Sequence, residues 1–383
     1  MRRAISSAYT YSNQIQLIKG GRDFFRILKS RIDEAEKSIY FQFYIFDEDE
    51  TGRSVANDLI AAAKRNVNVY ILLDRYASKN LSSAFIQELK DAGIHFRWFT
   101  SFVKNRKFYI GRRLHHKVVV IDSSKSFVCG LNISNRYNDT SENAAWLDWA
   151  AYTEGAASLK LEQVCKRRIK DYSPAKVNDA IKTKDLDQCA IKICVNDWLL
   201  RKSEITNSYL KIIRGATNSI QIMSPYFLPG HQFRRALKRA AQRGVNVQLI
   251  LSGNSDIPFA KYAERYMYEW LLKNKIQVYE YQPNVLHGKI ITCDGEWTTV
   301  GSYNVNNLSA YASIELNLEI KNQNFASHVE GRLKDIIQND CQQITIQLYK
   351  YEINIWKRFV YGTMYNFMRL MLFIFTFRKP HRE

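Results

Sequence analysis

The chain has 383 residues, with 56 Lys and Arg against 37 Asp and Glu, for a formal net charge of +19. At about 100–200 residues per domain the length suggests two domains. With 46% hydrophobic residues, 6 Pro and 16 Gly, it is not a disordered, collagen-like or low-complexity chain, and its charge points to an anionic partner: phosphate, nucleic acid or an acidic membrane surface. Six scattered cysteines, none in a CxxC pair, argue against a disulfide scaffold and a zinc site and fit a reducing compartment.

The first 21 residues lack the apolar run of a signal peptide, and no stretch reaches 18 uninterrupted apolar residues, so a spanning anchor is not expected. Residues 38–46, rich in Ile, Tyr and Phe, read as a strand. Residues 54–64 have helical spacing, and 67–73 form a β-branched apolar run typical of a strand covered on both faces. Between them lies an acidic cluster, Asp47 to Glu50, read either as an exposed turn or as a holder of a polar or cationic substrate group. A basic stretch follows further on, with Lys104, Arg106, Lys107, Arg112 and Arg113 placed to gather anionic head groups.

The strand–helix–strand unit recurs. Ala-Glu-Lys-Ser-Ile-Tyr-Phe at 35–41 returns as Ala-Thr-Asn-Ser-Ile-Gln-Ile at 216–222, and Lys64-Arg65-Asn66-Val67-Asn68-Val69 as Gln242-Arg243-Gly244-Val245-Asn246-Val247. Two copies at this spacing mean two similar α/β domains with a mostly parallel or mixed sheet, not a solenoid. The polar segment 168–188, with Pro174, reads as a linker. The expected layout is a first domain over 1–170, a linker over 171–190, a second domain over 191–345 and a basic, aromatic C-terminal helix over 346–383. In that helix Trp356, Phe359, Val360, Thr363, Met364, Phe367, Leu370, Met371 and Ile374 fall on one helical face, with Lys357, Arg358, Arg369, Arg378, Lys379 and Arg382 around them. We read it as an interfacial membrane helix; a terminal helix docked on the protein's own core, or a dimer interface, is the alternative.

Inside the duplication lies a sharper repeat. His115-His116-Lys117 with Asp122, then Cys129-Gly130-Leu131-Asn132, is matched by His287-Gly288-Lys289 with Asp294, then Gly301-Ser302-Tyr303-Asn304. In both copies the Asn lies 17 residues beyond the His (115 to 132, 287 to 304). On an extended backbone His115 and Lys117 share a face, as do His287 and Lys289, while His116 faces away. An imidazole beside an ammonium suits a phosphodiester: the ring attacks phosphorus, the ammonium neutralises the non-bridging oxygens, and Asn132 or Asn304 adds a donor. Two copies supply both a nucleophile and an acid for the leaving alkoxide. Cys129 and Cys293, beside the motif, are read as packing residues rather than reactive thiols.

These residues resemble the phospholipase D superfamily, whose signature is a duplicated HxKx4D with a following GSxN. The likeness is closest to bacterial cardiolipin synthases, through Phe41 to Gly52, Ser224 to Pro229, Trp146-Leu147-Asp148 and Glu154-Gly155-Ala156. The first copy departs from the pattern, with Cys129 in place of Gly and Gly130 in place of Ser. The resemblance implies two pseudo-symmetric α/β/α sandwich domains with one site between them. It also implies a two-step reaction through a phosphatidyl-histidine, and no cofactor or metal. By that analogy His115 is the nucleophile and His287 the general acid, though the symmetric motif leaves the choice reversible. Lys117, Lys289, Asn132, Ser302 and Asn304 bind the phosphate. Asp148 orients the first-half histidine and Glu315 the second. Asp122 and Asp294 complete the motif and are read chiefly as holding the loop after the strand.

The expected activity is phosphatidyl transfer, joining two phosphatidylglycerols into cardiolipin with release of glycerol. Phospholipase D-type hydrolysis is the runner-up. A nuclease fits the charge but not the presence of both motifs in one chain, and a non-catalytic nucleic-acid or membrane-binding protein does not account for two intact His–Lys–Asn sets. The resemblance further implies phospholipid substrates and an anionic membrane surface as partners rather than nucleic acid. Relatives commonly begin with two spanning helices, absent here, so the expected location is peripheral, on the cytoplasmic face of the cell membrane. The acceptor lipid and the oligomeric state are left open.

Overall fold

The structure is a computed structural model that describes residues 8–99, 103–104, 107–108, 112–169, 189–306, 309 and 313–376, with backbone alone for 103, 104, 107, 108, 199 and 371–376. Along the first half run β1 (Asn13–Lys19), α1 (Arg22–Asp33), β2 (Ser38–Phe43), α2 (Glu50–Lys64), β3 (Asn68–Asp74), α3 (Ser83–Asp91), β4 (His95–Phe99), the small hairpin β5 (Val103–Lys104) and β6 (Lys107–Phe108), β7 (Arg113–Leu114), β8 (Val118–Ile121), β9 (Lys125–Cys129), β10 (Trp149–Gly155) and α4 (Ala156–Arg168). The second half continues with β11 (Ala190–Asp197), β12 (Lys202–Ser203), α5 (Glu204–Gly215), β13 (Ser219–Ser224), α6 (His231–Gln242), β14 (Asn246–Asn254), α7 (Pro258–Tyr266), α8 (Tyr268–Lys273), β15 (Gln277–Val285), β16 (Ile290–Cys293), β17 (Trp297–Gly301), β18 (Ser313–Lys321), α9 (Gln323–Asp340), β19 (Cys341–Ile344), α10 (Ile346–Glu352) and α11 (Ile355–Thr376).

The first sheet has the order β1-β10-β9-β8-β2-β3-β4, and the second β12-β11-β18-β17-β16-β13-β14-β15-β19. Both are mixed: β2-β3-β4 and β13-β14-β15 run parallel, and the strands carrying the repeated motif pair antiparallel. The parallel trio follows from the strand–helix–strand crossover that the repeated sequence encodes.

Alternation along each strand divides the core. Ile39, Phe41 and Phe43 of β2 face α1, α2 and α3, burying Phe24, Leu28, Leu59 and Phe85, whereas Tyr40 of the same strand faces the opposite way. Ile220 and Ile222 of β13 likewise face α5 and α6, while Met223 points inward. The two inward faces, with Leu161 of α4 and Leu333 of α9, form one continuous apolar cluster shared by both halves. Each half is therefore an α/β/α sandwich, and the two inner layers merge.

The linker expected over 171–190 lies outside the described residues up to 188; Cys189 is buried and Ala190 opens β11. The C-terminal segment is a helix with one docked and one exposed face. One face of α11 docks on α7, with Tyr361 stacked on Tyr262 (5.5 Å) and Tyr365 against Tyr266 (5.0 Å). The other face leaves Trp356, Phe359, Phe367 and Leu370 half or more exposed. Side chains from 371 on, Met371 and Ile374 among them, and the basic tail from 377 on, lie outside the described residues.

Candidate active site

The His–Lys segments lie in extended backbone just ahead of β8 and β16 rather than inside the strands, and the expected alternation holds. His115 and Lys117 both meet the ring of Tyr44, at 4.8 Å and 5.1 Å, and Lys117 Nζ donates to the His115 carbonyl. His116 points the other way, with its ring wholly buried and neither nitrogen hydrogen-bonded among the described residues. Burial pushes it well below the usual imidazole range, so it is neutral. In the second half Lys289 Nζ reaches the His287 carbonyl and lies 2.9 Å from His287 Nδ1, while Tyr137 and Trp146 pack on the His287 ring at 5.2 Å and 6.1 Å.

The carboxylates pair in the opposite sense to the sequence-based assignment. His115 Nδ1 lies 2.8 Å from Glu315 Oε2, and His287 Nδ1 lies 2.6 Å from Asp148 Oδ2. Each ring is thus held by the acid of the other half. The cause is a pair of main-chain bridges across the pseudo-two-fold axis. Leu114 pairs parallel with Ile314, and His115 N donates to Ile314 O (3.0 Å). Leu147 pairs parallel with Leu286, and His287 N donates to Leu147 O (2.7 Å). The residue before each histidine therefore lies beside the residue before the opposite carboxylate. With Nδ1 of each ring turned to a carboxylate, Nε2 is the nitrogen available for chemistry.

Local bonding defines the parts played by the other expected residues. Asp122 accepts the N–H groups of Glu36, Lys37 and Ser38, and Asp294 those of Thr217, Asn218 and Ser219. Both sit at left-handed backbone (φ 51° and 53°) in the turn after the motif strand and fasten it to the start of the neighbouring strand, β2 or β13, which is the loop-holding part expected of them and not a catalytic one. Ser302 is turned inward: its hydroxyl donates to Glu315 and accepts the Leu316 N–H, which makes it a brace and not a phosphate ligand. Asp49 of the acidic cluster caps α2, and Asp47 and Glu48 pair with Arg136 and Arg53, so the cluster is not a cation holder. Of the basic stretch, Arg112 pairs with buried Asp197 beside Arg168 rather than standing at an entrance. Arg106 and the side chains of Lys104 and Lys107 lie outside the described residues.

The two asparagines differ. Asn132 donates to the Tyr137 hydroxyl (2.9 Å) and accepts the Ile45 N–H (3.2 Å), whereas buried Asn304 has a side-chain oxygen with no partner among the described residues. Cys129 and Cys293 are free and buried, and burial raises both thiols, as packing residues require. Tyr44, Tyr137 and Trp146, which wall the two rings, were not singled out from sequence as site residues. Trp146, two residues before Asp148, and Tyr44, within Phe41 to Gly52, lie in segments that carry the resemblance.

Electrostatically the site is a buried group of two cations, two acids and two rings. Burial lowers Lys117 to about 7 and Lys289 to about 8, and raises Asp148 to about 7. Burial also lowers His115, against the pull of Glu315, and lowers His287 further, helped by Lys289 and Lys117. A phosphodiester would return the missing negative charge. Binding of a monoanionic diester such as dibutyl phosphate at pH 8 is therefore expected to draw roughly one proton onto the lysines, whereas at pH 6, where both are already ammonium, uptake passes to the histidines that burial keeps neutral. Calorimetry in buffers of different ionisation enthalpy reads this directly; no uptake at pH 8 would show that the lysines do not titrate there.

A family described as cardiolipin synthase, PLD-like domain, matches residues 28–164 and 209–337, the two halves just described. The chain belongs to this family. It is 34% identical over 339 residues to a cardiolipin synthase B of Salmonella typhimurium, covering 87% of this chain and 82% of the relative. It is 30% identical over 366 residues to a cardiolipin synthase of Clostridium perfringens, covering 90% and 74%. Among solved structures, phosphatidylserine synthase of Haemophilus influenzae superposes with a TM-score of 0.70 at 14% identity over 95% of each chain, a likeness of fold alone. This phospholipase D-like chain carries both motif copies in one polypeptide.

Proposed function

We propose that the chain is a phosphatidyltransferase that joins two phosphatidylglycerols into cardiolipin and releases glycerol. The observation that carries this is the crossed pair of histidine–carboxylate contacts flanked by two buried lysines, in a chain of the cardiolipin synthase family. His115 Nε2 attacks phosphorus; the P–O bond to glycerol breaks, and the leaving oxygen takes a proton from His287 Nε2. The head-group hydroxyl of a second lipid then gives its proton to His287 and attacks phosphorus, the P–N bond breaks, and His115 returns to its neutral form. Lys117, Lys289 and Asn304 face the charge that grows on the phosphoryl oxygens. The bound anion opposes the burial that keeps His287 neutral in the empty site, which supports its service as the acid.

Purified protein mixed with phosphatidylglycerol vesicles is expected to give cardiolipin and glycerol by mass spectrometry, with EDTA leaving the rate unchanged. Phosphatidic acid in their place would keep the site and make the chain a hydrolase. No lipid product, with cleavage of DNA in parallel, would overturn the reading.

The same reading places the chain peripherally on an anionic membrane surface, on the cytoplasmic leaflet. No described helix is long and apolar enough to cross a membrane. The exposed face of α11 presents Ile355, Trp356, Phe359 and Phe367 beside Lys357 and Arg369, and Phe259 at the start of α7 is exposed as well. Replacing Trp356 and Phe359 with Glu removes two anchors and adds two like charges to a surface whose basic residues contribute about 1 kcal/mol each. Vesicle sedimentation is expected to show a loss of affinity of at least roughly 30-fold with thermal stability unchanged. Undiminished binding would move the membrane contact elsewhere.

A further inference from the structure

In the second half one hydroxyl does two things. Ser302 Oγ accepts the Leu316 N–H (3.1 Å) and donates to Glu315 Oε2 (2.5 Å), the oxygen that also holds His115. The first half is built on the same main chain: Gly130 N donates to Trp149 O (3.1 Å), as Ser302 N donates to Leu316 O (3.1 Å). Gly130 thus stands where Ser302 does, and Asp148 where Glu315 does. Here there is no hydroxyl. Asp148 Oδ1 itself accepts the Trp149 N–H at 2.7 Å, and Oδ2 holds His287.

The volume explains the difference. A Cβ at position 130 would fall 2.2 Å from Asp148 Oδ1 and 2.8 Å from Oδ2, so the carboxylate occupies the space a serine side chain needs. Glutamate is one methylene longer; its head group stands farther from its own strand, and the gap behind it is filled by the serine hydroxyl. Either arrangement satisfies the same main-chain N–H and presents one carboxylate oxygen to a histidine across the axis. A mixed arrangement does neither. Serine with aspartate overlaps, and glycine with glutamate leaves a buried N–H and an unbraced acid.

We propose that Gly130 with Asp148 and Ser302 with Glu315 are two matched, non-interchangeable ways of setting a catalytic histidine, and that Gly130 is a positioning residue for His287. The departure of the first motif copy from Gly-Ser to Cys-Gly is then the complement of its shorter acid. This rests on the reading of His287 as a working group at phosphorus, so its geometry is read separately from turnover.

The test uses the full chain with Gly130→Ser, Asp148→Glu and the double variant. Nitrogen-15 histidine NMR reads the hydrogen-bonded Nδ1 proton of His287, assigned by its loss in His287→Ala. Each single variant is expected to lose that proton's downfield signal and to form cardiolipin roughly 100-fold more slowly, the scale of a displacement of about 1 Å at a catalytic group. The double variant is expected to regain the signal, return to within about 10-fold of wild type, and melt above both singles. Gly130→Ser with an unchanged signal and rate would overturn the proposal. So would a double variant that is no better than the singles or melts below them. The expected NMR pattern in a chain that makes no cardiolipin even as wild type would leave the matching intact and overturn the functional reading instead.

Discussion

His115→Ala is expected to abolish product formation from every substrate, while His287→Ala loses only those whose leaving group needs a proton. The two substrates that separate them are phosphatidylglycerol, which must expel an alkoxide, and phosphatidyl-p-nitrophenol, whose phenolate leaves unaided. With the first, both variants should fall by at least roughly 10⁴-fold, the scale seen when one member of a coupled nucleophile–base set is removed. With the second, His287→Ala should still release nitrophenol in a burst equal to the enzyme present, and His115→Ala should release none. A burst from His115→Ala would reverse the assignment of the two rings. The symmetric motif leaves that choice open, and the structure adds the walls that make the rings unequal: Tyr44 on one side, Tyr137 and Trp146 on the other.

The crossing predicts a second pattern, contrary to what position in the chain would suggest. Glu315→Gln, although it lies in the second half, should disable the first-half histidine, because an amide can donate to Nδ1 and favours the tautomer with Nε2–H, which has no lone pair for phosphorus. Asp148→Asn should do the same to His287. Glu315→Gln is therefore expected to remove the nitrophenol burst, and Asp148→Asn to preserve it while slowing cardiolipin formation by roughly 10²–10⁴-fold. If each carboxylate served the histidine of its own half, the two results would exchange. Because both acids are fully buried, melting curves accompany the assay, and the neutral, isosteric amides keep the core filled.

Much of this site was legible in the sequence because it rests on local rules. His-x-Lys places two side chains on one face of any extended segment, and the repeated strand–helix–strand unit sets two mixed sheets. Asp148 and Glu315 were identifiable by position, but their partners were not. Pairing depends on the bridges Leu114–Ile314 and Leu147–Leu286, which join residues far apart in the chain and leave no mark in local pattern. Ser302 was misread for a related reason: a hydroxyl beside a phosphate site and a hydroxyl bracing an acid look alike until its direction is known. Asp122 and Asp294 repeat with the motif because the turn they close repeats with it. The aromatic walls were missed because Tyr44, in the bend after β2, and Tyr137, at the end of a short 3-10 turn, belong to neither copy of the repeated motif.

The two parallel bridges carry a further meaning for how the enzyme keeps its dimensions. On the proposed mechanism the span between the rings fits a single phosphoryl group, and each histidine's own N–H is tied to a main-chain carbonyl of the opposite half. The gauge of the site is thus written in peptide units, which have one length in every sequence. Side chains in the shared apolar layer can be exchanged, and the layer's stability can drift, while the caliper that measures the substrate stays at the same setting.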